Sequence, residues 1–274
     1  MDKQDFPHQY LVAVQAAVEA SAVIMDFYNQ GYASQLKPDG SPVTEADVAS
    51  SKLINERLLA TGIPVLDEEI VNESYLERQK WKSFWCVDPL DGTKEYIKRN
   101  GEFAVNIALV ENQDAVFGVI ASPVKQEIIF GGKSVGAFYC TFDQFPDPGL
   151  WTKLEPSEKI NDPLVMVSSR SHHYGISLDY INNLKKNFGE VAFLQKGSSL
   201  KFFDLVLGKA DVYPRFAPTM EWDIASGQAI LEALNGQVIH TETGKPLKYN
   251  KENLLNPHFI AETSSFLWQK ENLL

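Results

Sequence analysis

The segment Asp88-Pro89-Leu90-Asp91-Gly92-Thr93 sets two carboxylates three residues apart, with a proline between them and a glycine and a hydroxyl behind. It follows the apolar run Trp81 to Val87, which reads as a strand, and leads into Lys94-Glu95-Tyr96-Ile97, which can be helical. Pro89 argues against continuation in a central ladder, and Gly92 permits an unusual backbone angle or a close approach. Two carboxylates at a strand end beside a helix N-terminus would offer oxygen ligands to cations and N–H donors to a phosphate. The competing account is a turn in which Asp91 or Thr93 only caps the helix. For Asp-x-x-Asp alone that simpler account is favoured.

Three further acidic features change the balance. Asp67-Glu68-Glu69 ends the short apolar run Pro64-Val65-Leu66, as a solvated loop or as a carboxylate pair directed into a cleft. Asp223 follows Trp222 at the head of Ile224-Ala225-Ser226-Gly227-Gln228, where an Asp commonly caps a helix. Thr44-Glu45-Ala46-Asp47 resembles a capping box with Asp in the last position. Each alone has a structural explanation. Their combination is another matter.

The elements that must position these residues follow from periodicity. Apolar residues at helical spacing predict helices over roughly Gln9 to Tyr28 and Glu45 to Ala60. Between them Lys37-Pro38-Asp39-Gly40-Ser41-Pro42 is a run of turn formers. Short β-like runs at Val65-Leu66, Trp81 to Val87, Phe103 to Val110, Val116 to Ala121, Glu127 to Phe130 and Gly136 to Cys140 suggest an antiparallel meander. Its turns are expected at Asn112-Gln113-Asp114, Ser122-Pro123 and Gly131-Gly132. Residues 143–162 turn Pro-rich and polar and mark the candidate boundary between subdomains 1–150 and 151–274. Beyond it strands at Leu164 to Val167, Val191 to Leu194 and Asp211 to Tyr213 alternate with helices at Leu178 to Asn187, Leu200 to Leu207 and Asp223 to Leu234. Such alternation implies crossovers and a partly parallel sheet.

Composition narrows the function classes. A net charge of −11 over 274 residues argues against a protein that grips a nucleic-acid polymer, though bound cations can locally reverse the field for a small phosphorylated ligand. Two cysteines, Cys86 and Cys140, make no disulfide framework or zinc spacing, and a reduced intracellular protein is the simpler reading. The stretch Leu11 to Met25 is interrupted by Gln15 and Glu19 and lacks a basic leader, so it reads as an amphipathic helix. No run reads as long and apolar enough to span a bilayer. No feature encodes the oligomeric state.

The W-x-x-D-P-L-D-G-T segment (Trp85 to Thr93), the acidic pair upstream and the Trp222-Asp223 pair downstream resemble the inositol monophosphatase superfamily of Mg²⁺-dependent, lithium-sensitive phosphatases. Within it, Lys37 to Thr44, Gly92 to Ile97, Ser169-Arg170-Ser171-His172, Gly197 to Phe202 and Tyr213-Pro214-Arg215 resemble the bacterial CysQ-type 3′(2′),5′-bisphosphate nucleotidases. The likeness runs from about Lys37 to Pro257. It departs at Asp67, where Gly or Ser is frequent, and at Ser226, where Ala is usual.

The resemblance implies an α+β fold, a layered αβαβα sandwich with an antiparallel N-terminal sheet and a mixed C-terminal one. It implies two or three Mg²⁺ ions, the first held by Glu68, Asp88 and the Leu90 carbonyl and the second by Asp88, Asp91 and Asp223. Asp47 and Thr93, near Glu68, would orient and deprotonate the attacking water, and the N–H groups of Gly92 and Thr93 would cradle the phosphate. Arg170, Lys201 and Arg215 are expected to contact a second phosphate, with His172, Ser198 and Ser199 framing the nucleotide. The implied reaction is hydrolysis of the 3′-phosphate of adenosine 3′,5′-bisphosphate in the service of sulfur metabolism; the choice between 3′- and 2′-phosphates and activity on the phosphosulfate analogue do not follow from the sequence. The alternatives are an inositol or sugar phosphate monophosphatase and, from another class, a non-catalytic nucleotide sensor. The implied location is cytoplasmic; peripheral attachment to the inner membrane, claimed for bacterial relatives, is carried by no residue here.

Overall fold

A computed structural model describes residues 6–30, 34–36, 42–70, 72–168 and 176–272. The chain opens with helix α1 (His8–Gln30), the short strands β1 (Ser34–Leu36) and β2 (Pro42–Thr44), which pair antiparallel, and helix α2 (Glu45–Leu59). Then come β3 (Val65–Asp67), α3 (Tyr75–Arg78), β4 (Ser83–Asp91), α4 (Thr93–Ile97), β5 (Ala104–Glu111), β6 (Asp114–Ser122), β7 (Glu127–Gly132), β8 (Gly136–Thr141) and β9 (Thr152–Leu154). Strands β3 to β9 form one seven-stranded sheet in sequence order, antiparallel except for the parallel pair β3–β4.

The expected meander is therefore present, with local corrections. Gly131 and Gly132 lie inside β7, not in a turn, and glycine is needed there because the adjacent strand β6 comes too close for a side chain: a Cβ on Gly132 would sit 2.0 Å from the Val116 carbonyl oxygen. Asp114 opens β6, and the reversal before it falls on Asn112 and Gln113, both with positive φ. Strand β9 lies within the Pro-rich stretch and adds an edge strand to the sheet.

The remaining chain supplies β10 (Leu164–Ser168), α5 (Ile176–Phe188), β11 (Val191–Gln195), α6 (Leu200–Val206), β12 (Val212–Arg215), α7 (Glu221–Ala233), β13 (Gln237–His240), β14 (Phe259–Glu262) and α8 (Ser264–Asn272). Its sheet has the order β11-β10-β12-β14-β13, parallel at β11–β10–β12 and antiparallel from β12 onward. Sequence pattern stops at Asn235-Gly236 and does not foretell β13, β14 or α8.

Three apolar clusters show how the layers stack. Helices α1 and α2 place Ala13, Ala17, Ile24, Ile54 and Leu58 against Trp85, Val87, Ile107, Phe117 and Val119 on one face of the large sheet. Its other face, with Phe84, Cys86, Ala108, Ile120 and Ile129, packs on α6 and α7, which in turn touch Val167, Tyr213 and Phe259 of the small sheet. Helices α5 and α8 cover the far side of the small sheet through Ile181, Leu184 and Phe266. The result is the expected αβαβα sandwich. Burial on both faces explains why Phe84-Trp85-Cys86-Val87 is continuously apolar rather than alternating.

Helix α1 is long and apolar enough to cross a membrane by length and composition, contrary to the expectation drawn from the sequence. Its apolar stripe, however, is buried in the protein, with Ala13, Val14, Ala16, Ala17 and Ala20 fully inaccessible and Tyr10 stacked on Phe117 at 3.9 Å.

Candidate functional site

The site begins where β4 loses its regular pairing. Asp88 lies opposite Asn106 and Asp91 opposite Ala104, so Pro89 and Leu90 share the single position facing Val105. The strand thus runs on through Pro89, as a bulge, which is where a proline can sit in a sheet without breaking a ladder bond. The Leu90 N–H donates to Asp88 Oδ1 at 3.0 Å, and the Ser50 hydroxyl of α2 donates to the Pro89 carbonyl at 2.7 Å. Gly92 then turns the chain at φ 95° into α4; a Cβ there would lie 3.0 Å from the Glu102 carbonyl oxygen.

This re-aimed strand end meets two other elements. Glu68, Asp88 and Asp223 each offer a carboxylate oxygen within 4.8 Å of the others. Glu68 is directed there from the end of β3, while its neighbour Asp67 is wholly buried and accepts from Ser51 Oγ, Asn55 Nδ2 and the Glu69 N–H. Asp67 anchors the strand end that carries Glu68. Asp223 is the third residue of α7, not its cap, and accepts from the Met220 N–H at 2.9 Å. Burial, followed by the charges of Glu68, Asp91 and Asp223, holds Asp88 well above the usual carboxylate range. Burial and then Asp91 do the same to Asp223. Carboxylates this close and this desolvated call for a counter-charge, and the all-oxygen donor set fits a hard divalent cation.

Beside the triplet, Asp47 closes a capping box at the start of α2, its Oδ2 accepting from the Thr44 N–H at 2.8 Å and from the Thr44 hydroxyl. Its Oδ1 accepts from the Thr93 hydroxyl at 3.1 Å, and that hydroxyl also approaches the Leu90 carbonyl at 3.4 Å. Burial raises the Asp47 pKa against the opposing effect of the Thr44 bonds. Asp47 is both cap and partner of Thr93.

A cleft of about 250 Å³ opens from Asp91 and Asp223, with Gly92, Lys94, Lys196, Ser198, Ser199, Lys201 and Arg215 among its lining. Asp91 lies outside the triplet. Its Oδ2 accepts from Ser198 Oγ at 2.7 Å, the Ser199 N–H at 2.5 Å and Asn106 Nδ2 at 3.2 Å. The Lys201 amine donates to the Ser198 carbonyl at 2.7 Å and lies 5.3 Å from the Tyr213 ring centroid; burial lowers its pKa to about 8. Arg215 donates to the carbonyls of Ala217 and Pro218. Arg170 and His172 lie outside the described residues.

The Inositol monophosphatase family model matches residues 8–271. The chain belongs to the inositol monophosphatase family. Family members use divalent metal, in keeping with the carboxylate triplet. The chain is 40% identical over 250 residues to the 3′(2′),5′-bisphosphate nucleotidase CysQ of Shigella flexneri, covering 89% of this chain and 96% of that one. The corresponding Buchnera aphidicola CysQ is 37% identical over 262 residues, covering 90% and 91%. The crystal structure of CysQ from Bacteroides thetaiotaomicron superposes with a TM-score of 0.84 at 42% identity, over 95% of this chain and 99% of that one. A suhB structure from Bartonella henselae, at 24% identity and TM-score 0.72, shares the fold.

Three neighbours of the site escape a reading of the sequence. Asn106 is the sole uncharged polar side chain in the apolar run Phe103 to Val110, and a lone amide in a strand buried on both faces is the signal that could have found it. Glu102 accepts from the Gly197 N–H at 2.9 Å, tying the Lys196–Ser199 turn to the α4–β5 loop. Lys196 lines the cleft, and nothing in its local sequence distinguishes it from a surface lysine.

Because the triplet is self-repelling, a divalent cation should bind the folded chain far better than the unfolded one. At a Mg²⁺ concentration about 100 times its Kd the expected gain is about 2.7 kcal/mol. A melting curve recorded with Mg²⁺ and again after chelation checks this; coincident curves would contradict a cation site.

Proposed function

We propose that this chain hydrolyses the 3′-phosphate of adenosine 3′,5′-bisphosphate to AMP and phosphate, with Mg²⁺ ions as its cofactors. The observation that carries the reading is the junction of two features: a carboxylate triplet with Asp88 buried at its centre meets, through Asp223, a cleft whose lining includes Lys94, Lys196, Lys201 and Arg215. The first suits cations that hold a reacting phosphate, and the second suits another anionic group on the same molecule. The nucleotidase activity of relatives at about 40% identity across nearly the whole chain supports the same substrate class.

In this reading Glu68, Asp88 and the Leu90 carbonyl hold one Mg²⁺, and Asp88, Asp91 and Asp223 hold another. Bound there, such ions neutralise charge on the phosphate oxygens and lower the pKa of water. The residues of the chain do the rest. Asp47 accepts the Thr93 proton, so the Thr93 oxygen is free to take one from a water placed near Glu68. The carboxylate's raised pKa makes it a better proton acceptor than an exposed Asp. The N–H groups of Gly92 and Thr93 face the phosphate. Ser198, Ser199, Lys201 and Arg215 line the nucleotide side, with Arg170 and His172 assigned there by their sequence motif. Residues 1–150 contribute the β3 and β4 ligands and residues 151–274 contribute Asp223, so the two proposed subdomains meet at the reaction. A cytoplasmic location belongs to the same reading.

A substrate panel tests it. In Mg²⁺, adenosine 3′,5′-bisphosphate should be cleaved with a higher kcat/KM than inositol 1-phosphate, and hydrolysis in ¹⁸O-water should place one labelled oxygen in the released phosphate. A clear preference for inositol 1-phosphate, or label in AMP, would refute the proposal.

A further inference from the structure

We propose that Asn106 is a positioning residue for this reaction: it locks the Asp91 carboxylate to the Ser198–Ser199 turn and thereby sets the affinity of the site for its divalent cation. The inference rests on the metal-dependent reading above and concerns a side chain that contacts neither metal nor substrate in that reading.

Asn106 is fully buried in β5, opposite Asp88, and faces the layer that holds α6 and α7. Its two polar ends go to two different parts of the site. Nδ2 donates to Asp91 Oδ2 at 3.2 Å, and Oδ1 accepts from the Ser199 hydroxyl at 2.6 Å. The Asp91 oxygen that receives Nδ2 also receives Ser198 Oγ and the Ser199 N–H. Three donors occupy that one oxygen, which turns Oδ1 into the atom available to a cation. The carboxylate therefore has one orientation in which its hydrogen bonds are kept.

The constraint runs in both directions. Ser198 has φ 56°, a left-handed conformation costly for a residue with a Cβ. It is held by Asp91 directly and, through Ser199, by Asn106. Asp91 thus orients the turn that borders the cleft, and the turn orients Asp91. Asn is suited to the junction because an amide donates and accepts at once. An apolar side chain of the same size would take the acceptor from the buried Ser199 hydroxyl and one of three donors from the half-buried Asp91 oxygen. Partners that orient a metal-ligating carboxylate in this way are typically worth a factor of about 10–100 in metal affinity.

The experiment is a calorimetric Mg²⁺ titration of the full chain, without nucleotide, for the wild type and Asn106→Leu. The variant is expected to bind Mg²⁺ about 10–100-fold more weakly. The Mg²⁺ concentration needed for half-maximal turnover should rise by the same factor, and kcat should recover when Mg²⁺ is saturating. Asn106→Ala, which adds no bulk, serves if leucine prevents folding, and the melting temperature without Mg²⁺ reports whether either variant is folded. Unchanged Mg²⁺ affinity in a folded variant overturns the proposal, as does a loss of kcat that saturating Mg²⁺ does not restore, since that pattern belongs to a purely structural residue. The substrate reading fails separately. If the wild type prefers another phosphomonoester, the titration still decides the role of Asn106; if the wild type binds no Mg²⁺, both fall.

Discussion

Asp223→Asn should abolish nearly all turnover and, at the same time, raise the melting temperature of the metal-free protein. The two effects have one cause. Glu68, Asp88 and Asp223 bring carboxylate oxygens within 4.8 Å of one another, with Asp88 buried and the other two half-buried. At an effective dielectric of about 20, two such charges repel by about 3–4 kcal/mol. The amide oxygen of Asn can still accept from the Met220 N–H, so the start of α7 keeps its bond. What the helix loses is a charge near its N-terminus, worth about 0.3–1 kcal/mol. Relief of repulsion outweighs that loss, and each kcal/mol recovered corresponds to about 2–4 °C in a chain approaching this size. Catalysis responds the other way. If the site forfeits about 4 kcal/mol of the charge stabilisation that a properly held cation provides, the rate falls about 10³-fold. Thermal melts in chelator and initial rates in Mg²⁺ decide the matter. A variant that keeps a tenth of the wild-type rate, or melts lower than wild type in chelator, would contradict the role given to this carboxylate.

Gly118→Ala is expected to cost about 3 kcal/mol or more, at the upper end for overpacking. Helix α7 lies directly on β6, and a Cβ at Gly118 would stand 2.1 Å from the Ser226 carbonyl oxygen and 2.8 Å from its Cα. Both are backbone atoms, so no rotamer change relieves the clash. Nor is there slack toward α6 in the same layer, where a Cβ on Gly227 would fall 2.2 Å from the Phe202 ring. The melting temperature should drop by about 6–12 °C, the same energy expressed in degrees. Since α7 carries Asp223, whatever folds should also bind Mg²⁺ more weakly. Ser226→Ala is the matched control: its hydroxyl is buried with no hydrogen-bond partner, so its removal should leave the melting temperature level or slightly higher. Wild-type stability in Gly118→Ala would mean that the helix is not seated as described.

The parts of the site that are legible in the sequence share a property: each is written in a few consecutive residues. The strand end, Pro89 and Gly92 dictate a local change of direction that re-aims two carboxylates, although they do not reveal that β4 continues through a bulge. Thr44 and Asp47 form a capping box at their expected spacing. The antiparallel meander and the alternation of β10 to α7 follow from period and turn residues. By contrast, β13, β14 and α8 escape such reading because their strands are short and their pairing partners are distant in the chain. The three-residue strand β9 hides in a Pro-rich stretch because an edge strand needs little pattern of its own.

The amino-acid sequence alone determined the chemistry: hard oxygen donors, a hydroxyl beside a capping carboxylate, a family and a class of reaction. These depend on residue type and short spacing, which survive without coordinates. Only the tertiary structure decided which carboxylates converge. Glu68, Asp88 and Asp223 sit on three separate elements, and their meeting depends on how closely α7 can lie on the sheet at Gly118. It also decided that one oxygen of Asp91 is already committed to Ser198, Ser199 and Asn106. Packing between layers is a sum of many weak, non-local contacts, and no short run of residues records its outcome.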